Sequence, residues 1–496
     1  MGCYVVGRNR FYKNTIDFLG SPPKALTLPS PIGRGGSHPR RYNLVWGGGS
    51  LLKPRQQLGL TTDNWSLTLT FVILPPSLKT GILMNNLESI ARKITGILFA
   101  QQSLASAGFI AAATLNAIVG KELSQNSSWA GVPTAVYLLA GAFSAFLWGY
   151  VFDAIGRRGG LTSGLVTGTI GAGVTFYAIA IHSFPFFLLG MVLMGVANAA
   201  VQLGRFAAAE VNKPEHRGRA ISNVVIGGTV GSVVGPFVAG PAGAVVGSWG
   251  VDELAGAYLV AAVLFAVGAA VVFFGLRPDP REIGKQVAEQ FPETRTTNGE
   301  MRSVLQILRQ PAALVAVISM VLGQMVMVLV MVITSLHMRG HNHDLTDIST
   351  VISSHTFGMF AFSIVSGRLA DRFGRGRVIL AGSATLVAAC LAATISPDVL
   401  PLGVALFLLG LGWNFCYVGG STLLADQLSP LERARTQGFN DLLVGLASAL
   451  GSLESGFIFA SLGYNMMAYV SAAVALIPLT VVFVWMSRKA ASLKTA

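Results

Sequence analysis

Twelve runs of about twenty predominantly apolar residues follow one another between Ile94 and Val484, joined by short polar connections. A helix of that length crosses the hydrocarbon core of a bilayer. Helix is required, because an open strand would leave backbone N–H and C=O groups unsatisfied in lipid. The runs are Ile94–Val119, Trp129–Phe152, Leu161–Ile181, Phe184–Ala209, Ile221–Val246 and Leu254–Leu276, then Ala312–Leu336, Ser349–Leu369, Val378–Ile395, Leu402–Leu424, Gly438–Leu462 and Met466–Val484. They are called spans 1 to 12 below. Small residues are abundant inside them, as close packing between membrane helices favours. The expected fold class is an all-α polytopic membrane protein with twelve transmembrane helices.

Composition agrees with the patterning. Hydrophobic residues make up 52% of the chain and charged residues 11%, whereas a soluble domain carries about 25% charged residues. That supply cannot build a water-facing surface, which excludes an ordinary soluble enzyme, a disordered chain and a nucleic-acid-binding module. The net charge of +13 would otherwise suggest a nucleic-acid partner, but the basic residues lie between the apolar runs and act there as topology signals. Cys3, Cys390 and Cys416 show neither metal spacing nor a disulfide framework. No metal and no cofactor is expected.

Residues 1–83 stand apart, with ten Lys/Arg against two acids and many Pro and Gly. Met1 to Gly20 lacks the apolar core of a signal peptide, and Val6 stands where myristoylation wants Ser or Thr. The run Leu67 to Leu74 is too short to span, and Pro75-Pro76 ends it. This stretch is expected to be disordered, and a sharper expectation is that translation begins at Met84. Domain boundaries follow: a first six-helix bundle over 84–276, a cytoplasmic linker over 277–310, a second bundle over 311–487 and a tail over 488–496.

The basic residues orient the spans. Connections after even-numbered spans hold most of them, among them Arg157, Arg158, Lys213, Arg217, Arg281 and Arg377, while those after odd-numbered spans hold only Lys121 and Arg339. The positive-inside rule places the even connections and both chain ends in the cytoplasm.

The two halves echo each other. After span 2 the chain reads Gly149-Tyr-Val-Phe-Asp153-Ala-Ile-Gly156-Arg157, and after span 8 Gly367-Arg-Leu-Ala-Asp371-Arg-Phe-Gly374-Arg375, with Gly, Asp, Gly and Arg repeated 218 residues apart. The loops after spans 4 and 10 repeat as well: Glu210, Pro214, Arg217 and Arg219 against Asp426, Pro430, Arg433 and Arg435. Repeated halves are a transporter plan.

Over Met84 to Ala496 the chain resembles the major facilitator superfamily, whose best-known signature is Gly-x-x-x-Asp-x-x-Gly-Arg between helices 2 and 3. Span 5 is similar to that family's antiporter motif through Gly227, Gly231, Gly235-Pro236 and Gly240, the last one residue late. Ala154 and Gly190 stand where the family often has Arg. The resemblance implies two pseudo-symmetric six-helix bundles, a small-molecule substrate, and a monomer integral to the plasma (inner) membrane. It also implies a central cavity lined by helices 1, 4, 7 and 10.

Asp153, Glu210, Asp371 and Asp426 each sit at a helix C-terminal end, where the dipole disfavours a negative charge. Arg157 and Arg375, four residues beyond Asp153 and Asp371, are the natural partners. Two cytoplasmic clusters are expected, Asp153–Arg157–Glu210 and Asp371–Arg375–Asp426, either as latches biasing inward-open against outward-open states or as plain loop anchors. The span 5 glycines read equally well as a smooth face for close packing.

Polar residues inside spans face a cavity or the bundle interior. Candidates for substrate contact are Gln101, Gln102, Asn116, Asn198, Gln202, Gln324, Asn414 and Asn440, with Gln101, Gln324 and Asn414 nearest mid-bilayer, while Arg205, His355 and Asp441 read better as structural. Glu454, costly if ionised in lipid, is the candidate for proton coupling. No metal motif, nucleophile elbow or phosphate-binding loop indicates an enzyme. The expected function is secondary active transport of a small organic solute by alternating access, with efflux coupled to protons first, import or facilitated diffusion second, and a receptor without transport third.

Overall fold

Two helices are too long to be single crossings. A computed structural model describes residues 2–7, 10–15, 76–290 and 302–495, and in it α2 runs 49 residues, Val132–Ala180, with Gly156 at φ 80°, ψ 173° inside it. α14 runs 66 residues, Pro430–Thr495, with Gly463 at φ 79°, ψ 177°. At about 1.5 Å per residue each exceeds twice the hydrocarbon thickness. The backbone doubles back at a conformation that is essentially glycine-only. Among the described residues ten helical runs are long and apolar enough to cross a membrane. Counting these two twice gives twelve crossings.

Span 1 is α1 (Pro76–Ser124), and α2 supplies spans 2 and 3. Span 4 is broken into α3 (Phe184–Gln202) and α4 (Gly204–Glu210), followed by α5 (Arg217–Gly247) and α6 (Gly256–Gly275) as spans 5 and 6. Two short helices, α7 (Pro280–Gln290) and α8 (Val304–Leu308), lie between the halves. Span 7 is α9 (Pro311–Gly340), and span 8 is again broken, into α10 (Leu345–Phe360) and α11 (Ser363–Phe373). Spans 9 and 10 are α12 (Arg375–Ala392) and α13 (Val399–Ala425), and α14 supplies spans 11 and 12. The fold is an all-α bundle of two six-helix halves.

Helix α1 begins at Pro76, upstream of Met84, with proline at the first helical position where its missing N–H costs nothing. Near the N-terminus, in the stretch expected to lack order, β1 (Gly2–Gly7) and β2 (Arg10–Thr15) pair antiparallel with Gly2 opposite Thr15. Both strands are rich in Tyr, Val and Phe, residues that favour extended backbone. The expected disorder of residues 16–75 lies outside the described residues.

The repeat is visible in the packing. In the first half, span 4 crosses span 2 at Gly195, where a Cβ would collide with the carbonyl oxygen of Tyr137. In the second, span 10 crosses span 8 at Gly410, where a Cβ would collide with the carbonyl oxygen of His355, and Tyr137 and His355 are again 218 residues apart. Gly156 and Gly374, also separated by that interval, both carry positive φ, 80° and 92°.

The halves meet along spans 2 and 11 and spans 5 and 8. Ser452 Oγ donates to the Gly131 carbonyl at 2.8 Å, Ser353 Oγ to Val233 at 3.1 Å and Thr356 Oγ1 to Ser232 at 3.2 Å. Arg339 pairs with Glu253 at 2.6 Å. All four contacts lie between mid-span and the end carrying Glu253. These contacts tie the halves together on the side that carries Glu253, away from the end carrying Asp153 and Asp371.

Candidate functional site

Charged clusters stand at the turns after spans 2 and 8. At the turn after span 2, Arg157 Nε and Nη2 donate to Glu210 Oε2 and Oε1 at 2.9 and 2.7 Å, while Nη1 donates to Asp153 at 3.1 Å. In the second half, Arg375 Nε donates to Asp426 at 2.9 Å and Nη1 lies 3.2 Å from Asp371. The structure thus assembles both triads named from the sequence. Each lies wholly inside one half: the first ties spans 2 and 3 to span 4, the second spans 8 and 9 to span 10. Neither bridges the halves.

Asp279 completes the first cluster. Its Oδ1 accepts the backbone N–H of Arg157 at 3.2 Å and of Arg281 at 2.8 Å, and its Oδ2 that of Arg158 at 3.0 Å. One carboxylate therefore caps two helix N-termini, span 3 and α7, where the dipole favours a negative charge. Gly156 admits it: a Cβ there would stand 2.5 Å from Asp279 Oδ2. Ile283 and Val287 then bury α7 at 3% exposure each, with Gly284 against Glu210. Asp279-Pro280 is a helix-start signature, the signal that would have singled this residue out.

The far end of the connecting segment is tied as well. Arg302 donates to both oxygens of Glu432, at 2.9 and 2.8 Å, and Glu432 accepts the Ser429 N–H at 2.9 Å as the third residue of α14. The Arg302 guanidinium and that backbone donor hold the Glu432 carboxyl well below the usual carboxylate range.

The polar residues of the spans divide into two groups. Asn414 is 1% exposed, and its amide donates to the Met359 carbonyl at 2.6 Å and to Ser363 Oγ at 2.9 Å, while its oxygen accepts from Ser366 Oγ. It stitches the break between α10 and α11 and is spent there. Gln101, 0% exposed, points at Gly204, where span 4 breaks. Gln102 is buried and donates to Ser106 at 3.3 Å. Asn116 accepts from Tyr258 at 2.8 Å inside the first half, His355 Nδ1 contacts the Leu406 carbonyl at 2.9 Å, and Asn440 is buried against Met320. In this state none of these six presents a polar group to a solute.

The second group lies along the gap between span 4 and the second half. Asn198, Gln202 and Arg205 recur at helical spacing on span 4 and all keep exposure. Arg205 interacts electrostatically with Tyr417 and Asp441 of the other half, so this face fronts spans 10 and 11. Opposite it, Gln324 Oε1 accepts the Trp413 indole N–H at 2.6 Å. Trp413 stacks on Tyr417 at 5.0 Å and 20° and meets Phe360 edge-on at 6.1 Å. Gln324, Trp413, Tyr417 and Phe360 are each partly exposed. Trp413, Tyr417 and Phe360 escaped the sequence reading, because an aromatic residue inside an apolar span carries no mark of facing a cavity. Glu454 is exposed on span 11 and belongs to no ion pair among the described residues.

The span 5 glycines form a crossing. Cβ atoms at Gly227, Gly231 and Gly235 would collide with the carbonyl oxygens of Phe99, Ser103 and Ala107 respectively, so spans 1 and 5 touch backbone to backbone over two turns. Pro236 lies inside α5 directly after this stretch. Gly240 leaves the line and faces Thr346 of span 8 instead, at 3.5 Å.

Comparison with known proteins matches this architecture. The family model for the Major Facilitator Superfamily fits residues 97–342 and fits again over 315–496. The chain is 32% identical over 400 residues to the uncharacterized MFS-type transporter YdeG of Bacillus subtilis, covering 80% of this chain and 93% of that protein. It is 28% identical over 397 residues to the riboflavin transporter RfnT of Brucella anthropi, covering 78% and 95%. Identity to the multi-drug resistance efflux pump PmrA of Streptococcus pneumoniae is 24% over 355 residues, covering 71% and 84%. Among solved structures, the nucleoside transporter NupG shares the fold at a TM-score of 0.60 and 16% identity, covering 80% and 98%. The first fit runs on through span 7 and the second covers the other half, and the chain belongs to the major facilitator superfamily.

Proposed function

We propose that this protein is a secondary active transporter that moves a small organic solute by alternating access, and that the solute is a planar aromatic compound. The observation that carries the reading is the gap between Asn198, Gln202 and Arg205 of span 4 and the Gln324–Trp413–Tyr417–Phe360 group. Stacked rings offer a flat face to an aromatic ring. The free donors of Gln324, Arg205 and the span 4 amides supply the few polar contacts that orient a bound solute. A relative that carries riboflavin agrees with this chemistry.

In the same reading the end carrying Arg157 and Arg375 is cytoplasmic, because the basic connections lie there, and the halves stand open to that side. The two triads act as fixed corners within each half, so that the halves move as rigid bodies. Export in exchange for protons is the first direction, with the exposed carboxylate of Glu454, in no ion pair among the described residues, as the proton carrier and the efflux pumps among the relatives as its support. Import or facilitated diffusion is the second, favoured by the packing role that the span 5 glycines fill.

Flux into proteoliposomes under an imposed pH gradient tests the reading, with flavins, nucleosides and aromatic drugs screened beside sugars and aliphatic amino acids. Gradient-dependent movement of an aromatic solute is expected, lost in Glu454→Gln if that carboxylate carries the proton. Flux of sugars alone would overturn the aromatic assignment, and binding without flux would overturn transport.

A further inference from the structure

Below the close crossing at Gly227, spans 1 and 5 diverge, and the wedge between them holds a cavity of about 550 Å³. Leu87, Phe99, Ile226 and Val287 give its inner wall apolar surface beside the polar Thr95, Asn212 and Asn223, and the end of α7 closes one side through Val287 and Gln290. Its rim is basic: Arg92, Lys213, His216 and Arg219, with Glu88 as the one acid lining it. Lys213 neutralises Glu88 at 2.6 Å. Arg92 and Arg219 remain, exposed, and neither is in an ion pair among the described residues. The rim residues lie just before the apolar runs that start at Ile94 and Ile221, the level at which lipid headgroups lie.

We propose that this wedge binds the phosphate headgroup of an anionic phospholipid, with Arg92 and Arg219 on the phosphate and the first acyl methylenes along Ile226 and Phe99. A water-soluble phosphate would use the same two arginines, but it has no use for apolar surface that runs into the membrane between two spans, and Ile226 is 43% exposed there. Basic pockets between transmembrane helices take anionic headgroups for these electrostatic reasons. The occupant touches span 1, span 5 and α7 together, so it braces the start of the first half against the connecting segment and favours the state in which the wedge is open. This site is separate from the gap proposed for the solute and stands whether or not that assignment holds.

The test uses the full chain, purified in detergent, with phosphatidylglycerol or phosphatidylcholine added at equal concentration. Native mass spectrometry counts retained lipid, and thermal unfolding reports the effect on the protein. Phosphatidylglycerol is expected to be retained and to raise the melting temperature, with little of either for phosphatidylcholine. The double variant Arg92→Gln/Arg219→Gln is expected to weaken retention about thirtyfold while melting as the parent does without added lipid. Arg372→Gln, which removes a surface charge elsewhere at the same end, is expected to change neither readout. If the double variant melts early, each single variant is measured instead, and retention must fall in both. Equal retention of the two lipids, or unchanged retention in the arginine variants, overturns the proposal. An equal shift from glycerol phosphate alone also overturns it, by assigning the wedge to a soluble phosphate.

Discussion

Arg157 grips Glu210 through two nitrogens and two oxygens, at 2.9 and 2.7 Å, whereas its counterpart Arg375 reaches Asp426 through Nε alone, at 2.9 Å. A two-pronged guanidinium–carboxylate contact adds geometry as well as energy. Glu210→Gln is therefore expected to cost about 1 kcal/mol, allowing for the solvent that reaches Glu210, and Asp426→Asn only a few tenths. Thermal unfolding of both variants checks the order; equal shifts would remove the asymmetry.

The turn at Gly156 is expected to tolerate no side chain. Its φ of 80° and ψ of 173° are essentially closed to other residues, and a Cβ would also push on Asp279, 2.5 Å away. Gly374 has φ 92° but nothing near its Cβ position. Gly156→Ala should thus lose about 2–4 kcal/mol and Gly374→Ala about 1–2, read as melting temperature and as folded yield from membranes.

Arg302 and Glu432 set an acid limit. The carboxyl of Glu432 titrates lower in the folded chain than in the unfolded one, because Arg302 and the Ser429 N–H favour its ionised form. Its contribution is complete above the ordinary carboxylate range and declines as pH falls through and below it. Wild type should out-melt Glu432→Gln by a constant margin between pH 6 and 8, and the margin should shrink below about pH 4. A margin that instead changes near neutrality would point to a histidine.

Position along span 5 should decide the effect of added methyl groups. Gly231→Ala places a Cβ against the Ser103 carbonyl and forces spans 1 and 5 apart, whereas Gly240→Ala meets nothing closer than 3.5 Å. Loss of several kcal/mol is expected at the first site and near-neutral behaviour at the second, in stability and transport alike. Strong loss of transport at Gly240 with stability intact would return the motif to a functional role.

Trp413 should set the KM for an aromatic solute. Trp413→Ala removes a ring worth about 0.5–1.5 kcal/mol in stacking, a rise of about three- to tenfold. Trp413→Phe keeps a ring but strands Gln324 Oε1 without the indole donor seen at 2.6 Å, and an intermediate KM is expected. Proteoliposome uptake measures both.

The helical class, the span count and the repeat were legible because each depends on local chemistry. Apolar run length answers to bilayer thickness, and Gly, Asp and Arg recur at fixed offsets wherever a turn must be made and an end neutralised. Hence Asp153, Arg157 and Glu210 could be grouped, and Asp371, Arg375 and Asp426 with them. Asn414 and Trp413 mark the limit. Both sit near the middle of span 10, one residue apart, and the polar one is consumed repairing a broken helix while the aromatic one faces the gap. Asp279 lies far along the chain from the turn it caps, and no local pattern ties it to Gly156.

From its amino acids alone this chain had to become a bundle of membrane helices in two related halves, because every residue's preference for lipid or water acts on its own neighbourhood. Which face each helix turns inward, where two helices break, and at which end the halves are tied together depend on contacts between residues separated by dozens to hundreds of positions. Those contacts exist only once the helices have packed, so only the folded molecule could decide them.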